Sequence, residues 1–277
     1  MYKFKYSFQI GGFEDVFNGI KTAASFGYDG VEVCGADKYF KMGKEIKRSA
    51  QNSGLAISSL CTWFFDCDLA HPDVKVREEG IEWMKTVLDF AADMETPTAI
   101  INPTKLGKHR PLAAEEDEYK WGAESIQKVS EIASKVNVRL ALEAWNRYDT
   151  YFINNFEKAK KIVAMIDRDN VGYMLDTFHL NIEEVDMGAT VRNAGKRLYN
   201  IHVGDSNRLA PGMGHTDFIP ILQALKDNEY DGNVTMEVLP PAADGFYYAK
   251  HHDMNFICVD CCKKAIETLK SLELKLK

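Results

Sequence analysis

The sequence predicts an α/β protein, a (β/α)8 TIM barrel forming a single domain over residues 1–277. Three observations carry this expectation. Strand-like and helix-like segments alternate eight times, with no linker or low-complexity stretch between them. The length of 277 residues is close to that of one such barrel. In the second half of the chain, four short apolar runs each end in an acidic or imidazole residue, as buried parallel strands with functional ends would.

Strands are expected near 2–8, 30–34, 56–64, 97–102, 138–144, 171–176, 198–203 and 233–239. Helices are expected near 14–26, 43–53, 73–94, 115–136, 154–167, 183–196, 217–228 and 252–273. Turn signals fall between them. Gly27-Tyr28-Asp29-Gly30 precedes the second strand, Asn52-Ser53-Gly54 the third, and Tyr230-Asp231-Gly232 the eighth. The long third helix carries Val76 and then spaces Ile81, Met84, Val87, Leu88 and Ala91 at helical intervals, which buries one face. An open doubly wound sheet would need a Gly-rich dinucleotide loop after the first strand. Gln9-Ile-Gly-Gly12 does not match that pattern.

The four strand ends are Glu143 after Arg139-Leu-Ala-Leu, Asp176 after Val171-Gly-Tyr-Met-Leu, His202 after Leu198-Tyr-Asn-Ile, and Glu237 after Asn233-Val-Thr-Met. A charge in such a place is costly unless something uses it. One alternative is that each merely caps a helix or pairs with an arginine. Converging on one barrel face, the four would form a metal site of three carboxylates and one imidazole. That donor set suits Mn²⁺, Mg²⁺ or Co²⁺ better than structural zinc. Such an ion would hold a hydroxyl and a carbonyl oxygen of a sugar and stabilise the enediolate formed on proton loss. Glu143 and Glu237, from the fifth and eighth strands, would flank the substrate and exchange its proton between opposite faces. Glu32, inside Gly30-Val-Glu-Val33, is expected to hydrogen-bond one of the ligands. Tyr6, Phe8, Trp63 and Phe64 are candidates for an apolar wall of the site.

The surrounding motifs resemble a family. Glu143-Ala-Trp-Asn-Arg147, Leu175-Asp-Thr-Phe-His-Leu-Asn-Ile-Glu183, Ile201-His-Val-Gly-Asp-Ser-Asn-Arg208, Pro211-Gly-Met-Gly214 and Asp231-Gly-Asn-Val-Thr-Met-Glu237 are similar to the ketose 3-epimerases. These are the D-tagatose and D-allulose (psicose) 3-epimerases of the xylose-isomerase-like barrel superfamily. Weaker similarity runs through Ser59-Leu-Cys-Thr62 and Ala70-His-Pro-Asp73. The resemblance implies that Glu143, Asp176, His202 and Glu237 ligate the metal and that Glu143 and Glu237 form the acid/base pair. It places His179 and Arg208 on substrate oxygens, and it implies a homodimer or homotetramer. Asp149 stands where the family has a substrate-contacting glutamate. The fourth-strand loop, Asn102-Pro-Thr-Lys-Leu-Gly-Lys-His-Arg110, departs from the family's Gly-Pro, aromatic-rich lid. Its cations Lys105, Lys108, His109 and Arg110 are expected to be solvated rather than to select an anionic substrate. His251-His-Asp-Met254 lacks the family's Trp-Arg pair.

Composition excludes other classes. Apolar residues make up 45%, charged residues 27%, and the net charge is −7. No basic face advertises nucleic acid, no apolar stretch reaches membrane-spanning length, and the N-terminus has no signal-peptide core. The expectation is a cytoplasmic enzyme acting on a small-molecule sugar. The six cysteines, Cys34, Cys61, Cys67, Cys258, Cys261 and Cys262, are expected to be reduced and partly buried. Alternatives on the same barrel are an inosose or hydroxy-keto-acid isomerase or dehydratase, and a C-glycoside-cleaving lyase subunit with a partner chain. A repair endonuclease is disfavoured by the acidic charge and the shortage of strand-end histidines. A barrel without activity that serves as a scaffold is disfavoured by retention of all four ligand types.

Overall fold

The computed structural model describes residues 2–62, 66–240, 242, 245, 248 and 251–277. Eight parallel strands close in sequence order: β1 (Lys5–Gln9), β2 (Gly30–Gly35), β3 (Ala56–Thr62), β4 (Thr98–Ile101), β5 (Arg139–Glu143), β6 (Val171–Asp176), β7 (Leu198–His202) and β8 (Asn233–Met236). β1 pairs with both β2 and β8, so no edge is left exposed. Helices α1 (Val16–Ser25), α2 (Gly43–Asn52), α3 (Val74–Met94), α4 (Glu115–Lys135) and α5 (Phe156–Ile166) follow the first five strands. Next come α6 (Thr177–Glu183), α7 (Met187–Ala194), α8 (Ile219–Asp227) and α9 (Asn255–Glu273).

The two-residue period of each strand sorts its side chains into two environments. Phe8, Val31, Val33, Leu60, Leu140, Leu142, Leu175, Ile201 and Val234 belong to the large core shared with the helices. A separate small cluster of Cys34, Cys61, Ile100, Ala141 and Met174 packs inside the barrel. Glu143 and Asp176 lie two positions beyond Ala141 and Met174, so they share that inner face one layer nearer the strand ends. The inner layer is also polar. Ser7 and Thr235 hydroxyls lie 2.6 Å apart across β1 and β8, and Ser58 reaches Ser7 at 3.0 Å.

This alternation corrects one expectation. Tyr6 and Phe8 point outward, not into the site: the Tyr6 hydroxyl donates to Glu273 Oε2 of α9 at 3.0 Å, and Phe8 packs edge-on against Phe13 and Tyr28. The expected wall residues Trp63 and Phe64 lie outside the described residues. The helix expected near 183–196 is α7, but a further helix, α6, precedes it where none was expected. Asp176 ends β6 and at once caps α6, its carboxylate accepting from Phe178 N–H at 2.9 Å. Asp186 then caps α7.

The solvated reading of the fourth-strand loop also fails at Lys108. Its side chain is buried, with Nζ 3.0 Å from Asp68 and 3.3 Å from Glu118. Both carboxylates are buried too. Glu118 sits in the acidic first turn of α4 and accepts from Leu112 N–H at 2.9 Å. Removing one partner of a buried ion pair leaves the other charge uncompensated. Lys108→Met is therefore expected to destabilise the fold by about 3–5 kcal/mol, read as a lower denaturant midpoint. A midpoint within error of wild type would contradict the buried-pair account. All six cysteines are free and buried, as expected. Among the described residues no helix is long and apolar enough to cross a membrane.

Candidate active site

The strand-end residues meet in one cup. Glu143, Asp176 and His202 each offer a ligand atom within 4.8 Å of the others, and all three are buried. Glu237, one residue past β8, joins them through His202, whose Nδ1 lies 3.3 Å from Glu237 Oε2.

Each group is aimed by a partner. Trp145 Nε1–H donates to Glu143 Oε2 at 2.9 Å, and Asn102 Nδ2 donates to the Glu143 carbonyl at 3.1 Å. Gln9, at the end of β1, donates to Glu237 Oε1. Glu32 spans the barrel. Its carboxylate accepts from Ser59 Oγ at 2.6 Å and Asn200 Nδ2 at 3.0 Å, and lies 2.7 Å from His202 Nε2. A carboxylate there fixes a proton on Nε2 and turns Nδ1 into the cup beside Glu237. Burial works to lower the imidazole's pKa, but Glu32 and Glu237 overcome it and raise it. A cation would take the place of the Nδ1 proton. Nδ1 is buried and makes no hydrogen bond. An orphaned imidazole nitrogen among carboxylates is what a divalent cation would satisfy, so the residues present fit one. Glu32→Gln should weaken Mn²⁺ binding by about 10–100-fold, measured by titration of metal-free protein. Unchanged affinity would sink the positioning role of Glu32.

Arg208 and His179 complete the cup. Arg208 has a left-handed backbone, φ 66°, uncommon outside glycine. Its loop is built around Asp205, which accepts from Ser206, Gly212 and Thr216 N–H groups at 2.7, 2.8 and 2.9 Å. The Arg208 guanidinium lies 4.2 Å over the Phe178 ring. Its Nη1 donates to Asp176 Oδ2 at 2.7 Å and Glu237 Oε2 at 3.0 Å. His179 Nδ1 accepts from Asn146 N–H at 3.2 Å, which leaves Nε2–H as donor. Nε2 is 3.7 Å from both Glu143 Oε1 and Asp176 Oδ2. Asp149 lies at the side, held by Asn146 Nδ2 at 2.8 Å and 3.7 Å from His179 Nδ1. The Lys108 loop steadies it, since Gly107 N–H donates to the Asp149 carbonyl at 2.8 Å and Tyr151 N–H to the Lys108 carbonyl at 2.9 Å.

The two glutamates differ in protonation. Burial, with Glu237 and Asp176 nearby, pushes Glu143 up to about 8. Burial works the same way on Glu237, but His202 and Arg208 overcome it and hold its carboxyl below the usual range. Burial pushes His179 down and Arg208 adds to this, so its imidazole is neutral. A carboxyl pair with pKa values driven apart is the usual pattern of an acid and a base, although a bound cation would lower both.

Glu143, Asp176, His202, Glu237, His179, Arg208 and Asp149 therefore lie in or beside one cup, whereas Tyr6 and Phe8 do not. Gln9, Trp145, Asn146 and Asn102 were not expected. Gln9 and Asn102 carry the same signal as the ligands, a polar residue at a strand end. Trp145 and Asn146 lie inside the quoted Glu143–Arg147 motif but gave no separate signal.

A closed parallel barrel with this acid- and imidazole-lined cup at its strand carboxyl ends defines a barrel enzyme, with its site where such enzymes carry it. The model of the xylose isomerase-like TIM barrel family matches residues 20–251, and the chain belongs to that family. A D-psicose 3-epimerase of Agrobacterium fabrum is 30% identical over 224 residues, 79% of this chain and 77% of that protein. A D-psicose 3-epimerase of Ruminiclostridium cellulolyticum is 28% identical over 223 residues, 79% of this chain and 76% of that protein. The solved structure of an L-ribulose 3-epimerase superposes with a TM-score of 0.88 at 21% identity, covering 99% of this chain and 95% of that one. That last likeness speaks for the fold alone. The chain is an enzyme of the isomerase class, similar to the ketose 3-epimerases.

Proposed function

We propose that the protein is a divalent-metal-dependent, single-domain epimerase that inverts C3 of a free, unphosphorylated ketose. The carrying observation is the pair Glu143 and Glu237, set on β5 and just past β8 so that they face one buried cup with Asp176, His202 and Arg208. The names of the similar proteins support the same chemistry.

Glu143, Asp176, His202 and Glu237 would hold the cation, and the oxygen-rich set favours Mn²⁺, with Mg²⁺ or Co²⁺ as substitutes. When bound, the cation polarises the carbonyl and stabilises negative charge on the neighbouring oxygens. One glutamate then takes the C3 proton from one face. The bonding pair moves toward C2, giving an enediolate of the sugar. The other glutamate returns a proton to the opposite face, and C3 is inverted. Arg208 and the Nε2–H of His179 donate to oxygens beside the reacting carbons. Asp149 accepts from a hydroxyl further along the sugar.

Free thiols at all six cysteines support a reducing, cytoplasmic setting. Assembly as a homodimer or homotetramer belongs to the same proposal and is tested by light scattering. The functional test is incubation of Mn²⁺-loaded protein with a panel of ketohexoses and ketopentoses. Appearance of the C3 epimer is expected. Failure to convert any ketose, free or glycosylated, with metal demonstrably bound, would overturn the proposal.

A further inference from the structure

A cavity of about 1010 Å³ opens on the strand carboxyl ends beside the cup. It begins at Gln9, which holds Glu237, and at Val238 and Leu239, which follow Glu237. It then runs outward between the loops after β1, β2 and β3 and the first half of α3. The cup residues Glu143, Asp176 and His202 do not line it. Glu237, His179, Arg208 and Asp149 do not line it either, so it is a compartment beside the cup that adjoins it at Gln9, the donor to Glu237.

Its size exceeds one monosaccharide. A hexose has about 12 heavy atoms. Even at the ~30 Å³ that a whole water occupies in the liquid, they fill no more than about 360 Å³. A two-ring sugar, counted the same way, needs at most about 690 Å³.

The walls indicate what fills the remainder. Phe13, Tyr39 and Trp83 bring aromatic rings to the lining, and ring faces suit the C–H face of a sugar. Glu14, Asp37, Asp66, Glu79 and Asp253, all exposed, set carboxylates around its rim, against Lys38 as the one Lys or Arg and the imidazoles of His251 and His252 among the described lining residues. Carboxylates accept strongly from hydroxyl groups and repel phosphate. Lys38 Nζ is itself engaged over the Tyr39 ring, 4.6 Å from its centre.

We propose that this cavity holds a second, uncharged sugar ring, so that the enzyme's substrates are keto-sugars glycosylated at the end remote from the carbonyl. The inference rests on the epimerase function and extends its substrate from the free ketose to the glycosylated one. It places the first ring in the cup and the second against the aromatic walls and the acidic rim, and it excludes phosphorylated ketoses.

The test compares kcat/KM of the Mn²⁺-loaded enzyme for three sets: free ketohexoses, the same ketohexoses carrying an O-linked hexosyl group at O4 or O6, and their 6-phosphates. The hexosyl compounds are expected to exceed the free ketoses at least tenfold, and the phosphates to fall at least tenfold below them. Free ketoses turned over as well as the hexosyl compounds, or phosphates turned over better than free ketoses, would overturn the inference and leave the epimerase function standing. No turnover in any set would overturn both. Val76→Trp, which places a large ring into the cavity from α3, should lower the hexosyl-to-free ratio of kcat/KM at least fivefold. Trp83→Ala should lower it as well. An unchanged ratio in both variants would place the second ring elsewhere and overturn the inference.

Discussion

Glu143→Gln and Glu237→Gln should each lower kcat by about 10²–10⁴-fold, because either change removes one of the two proton carriers. The two variants should differ in stability. Glu143 accepts from Trp145 on Oε2 alone, and a glutamine carbonyl can replace that oxygen. Glu237 accepts from Gln9 on Oε1 and from Arg208 on Oε2. A glutamine there can satisfy both if Gln9 rotates its amide to accept, but it removes the negative charge that faces Arg208 and His202. Hydrogen bonds to charged groups are worth about 1.5–3 kcal/mol, more than neutral ones. The expected result is a Tm near wild type for Glu143→Gln and a lowered Tm for Glu237→Gln, with both nearly inactive. Metal content is measured alongside, since both residues are proposed ligands. Retention of more than about a tenth of wild-type kcat by either variant would remove that residue from the proton path.

Metal removal is the second large effect. Glu143, Asp176 and Glu237 crowd one buried cup with Arg208 as its fixed cation, and His202 Nδ1 has no hydrogen bond. Dialysis against a chelator should lower kcat at least about 10²-fold, since charge stabilisation worth several kcal/mol is lost, and Mn²⁺ should restore it. Free metal at 100 times its Kd should add about 2.7 kcal/mol to stability. For a domain this large, that corresponds to a Tm rise of several degrees. Activity and Tm both unmoved by chelation would contradict a metal site in this cup.

Much of this site was legible in the sequence because of how parallel barrels bury their strands. Both strand faces are covered, so strands read as apolar runs and a charge at the end stands out. Glu143, Asp176, His202 and Glu237 were found in that way, and Glu32 stood out as an acid inside an apolar strand. The same period, applied to β1, would have turned Tyr6 and Phe8 outward, because Gln9 and Ser7 face in. What stayed hidden depends on contacts between distant segments. Lys108 looks like an ordinary loop cation until Asp68, forty residues earlier, and Glu118 close around it. The short α6 was missed because Asp176 serves as both strand end and helix cap, so a helix begins where a loop was expected. The cavity beside Gln9 draws on the loops after β1, β2 and β3, on α3 and on residues 251–254. No local pattern announces it.

The most direct test of the central claim, proton transfer between two carboxyls across C3, is an early-conversion experiment in D₂O. Mn²⁺-loaded enzyme converts a ketose that it accepts, and product and recovered substrate are analysed at C3 by mass spectrometry and NMR. The account predicts about one deuterium per product molecule at C3 and little in the recovered substrate, because the returning proton comes from a second, solvent-equilibrated carboxyl. Product that keeps its original hydrogen at C3 would contradict it.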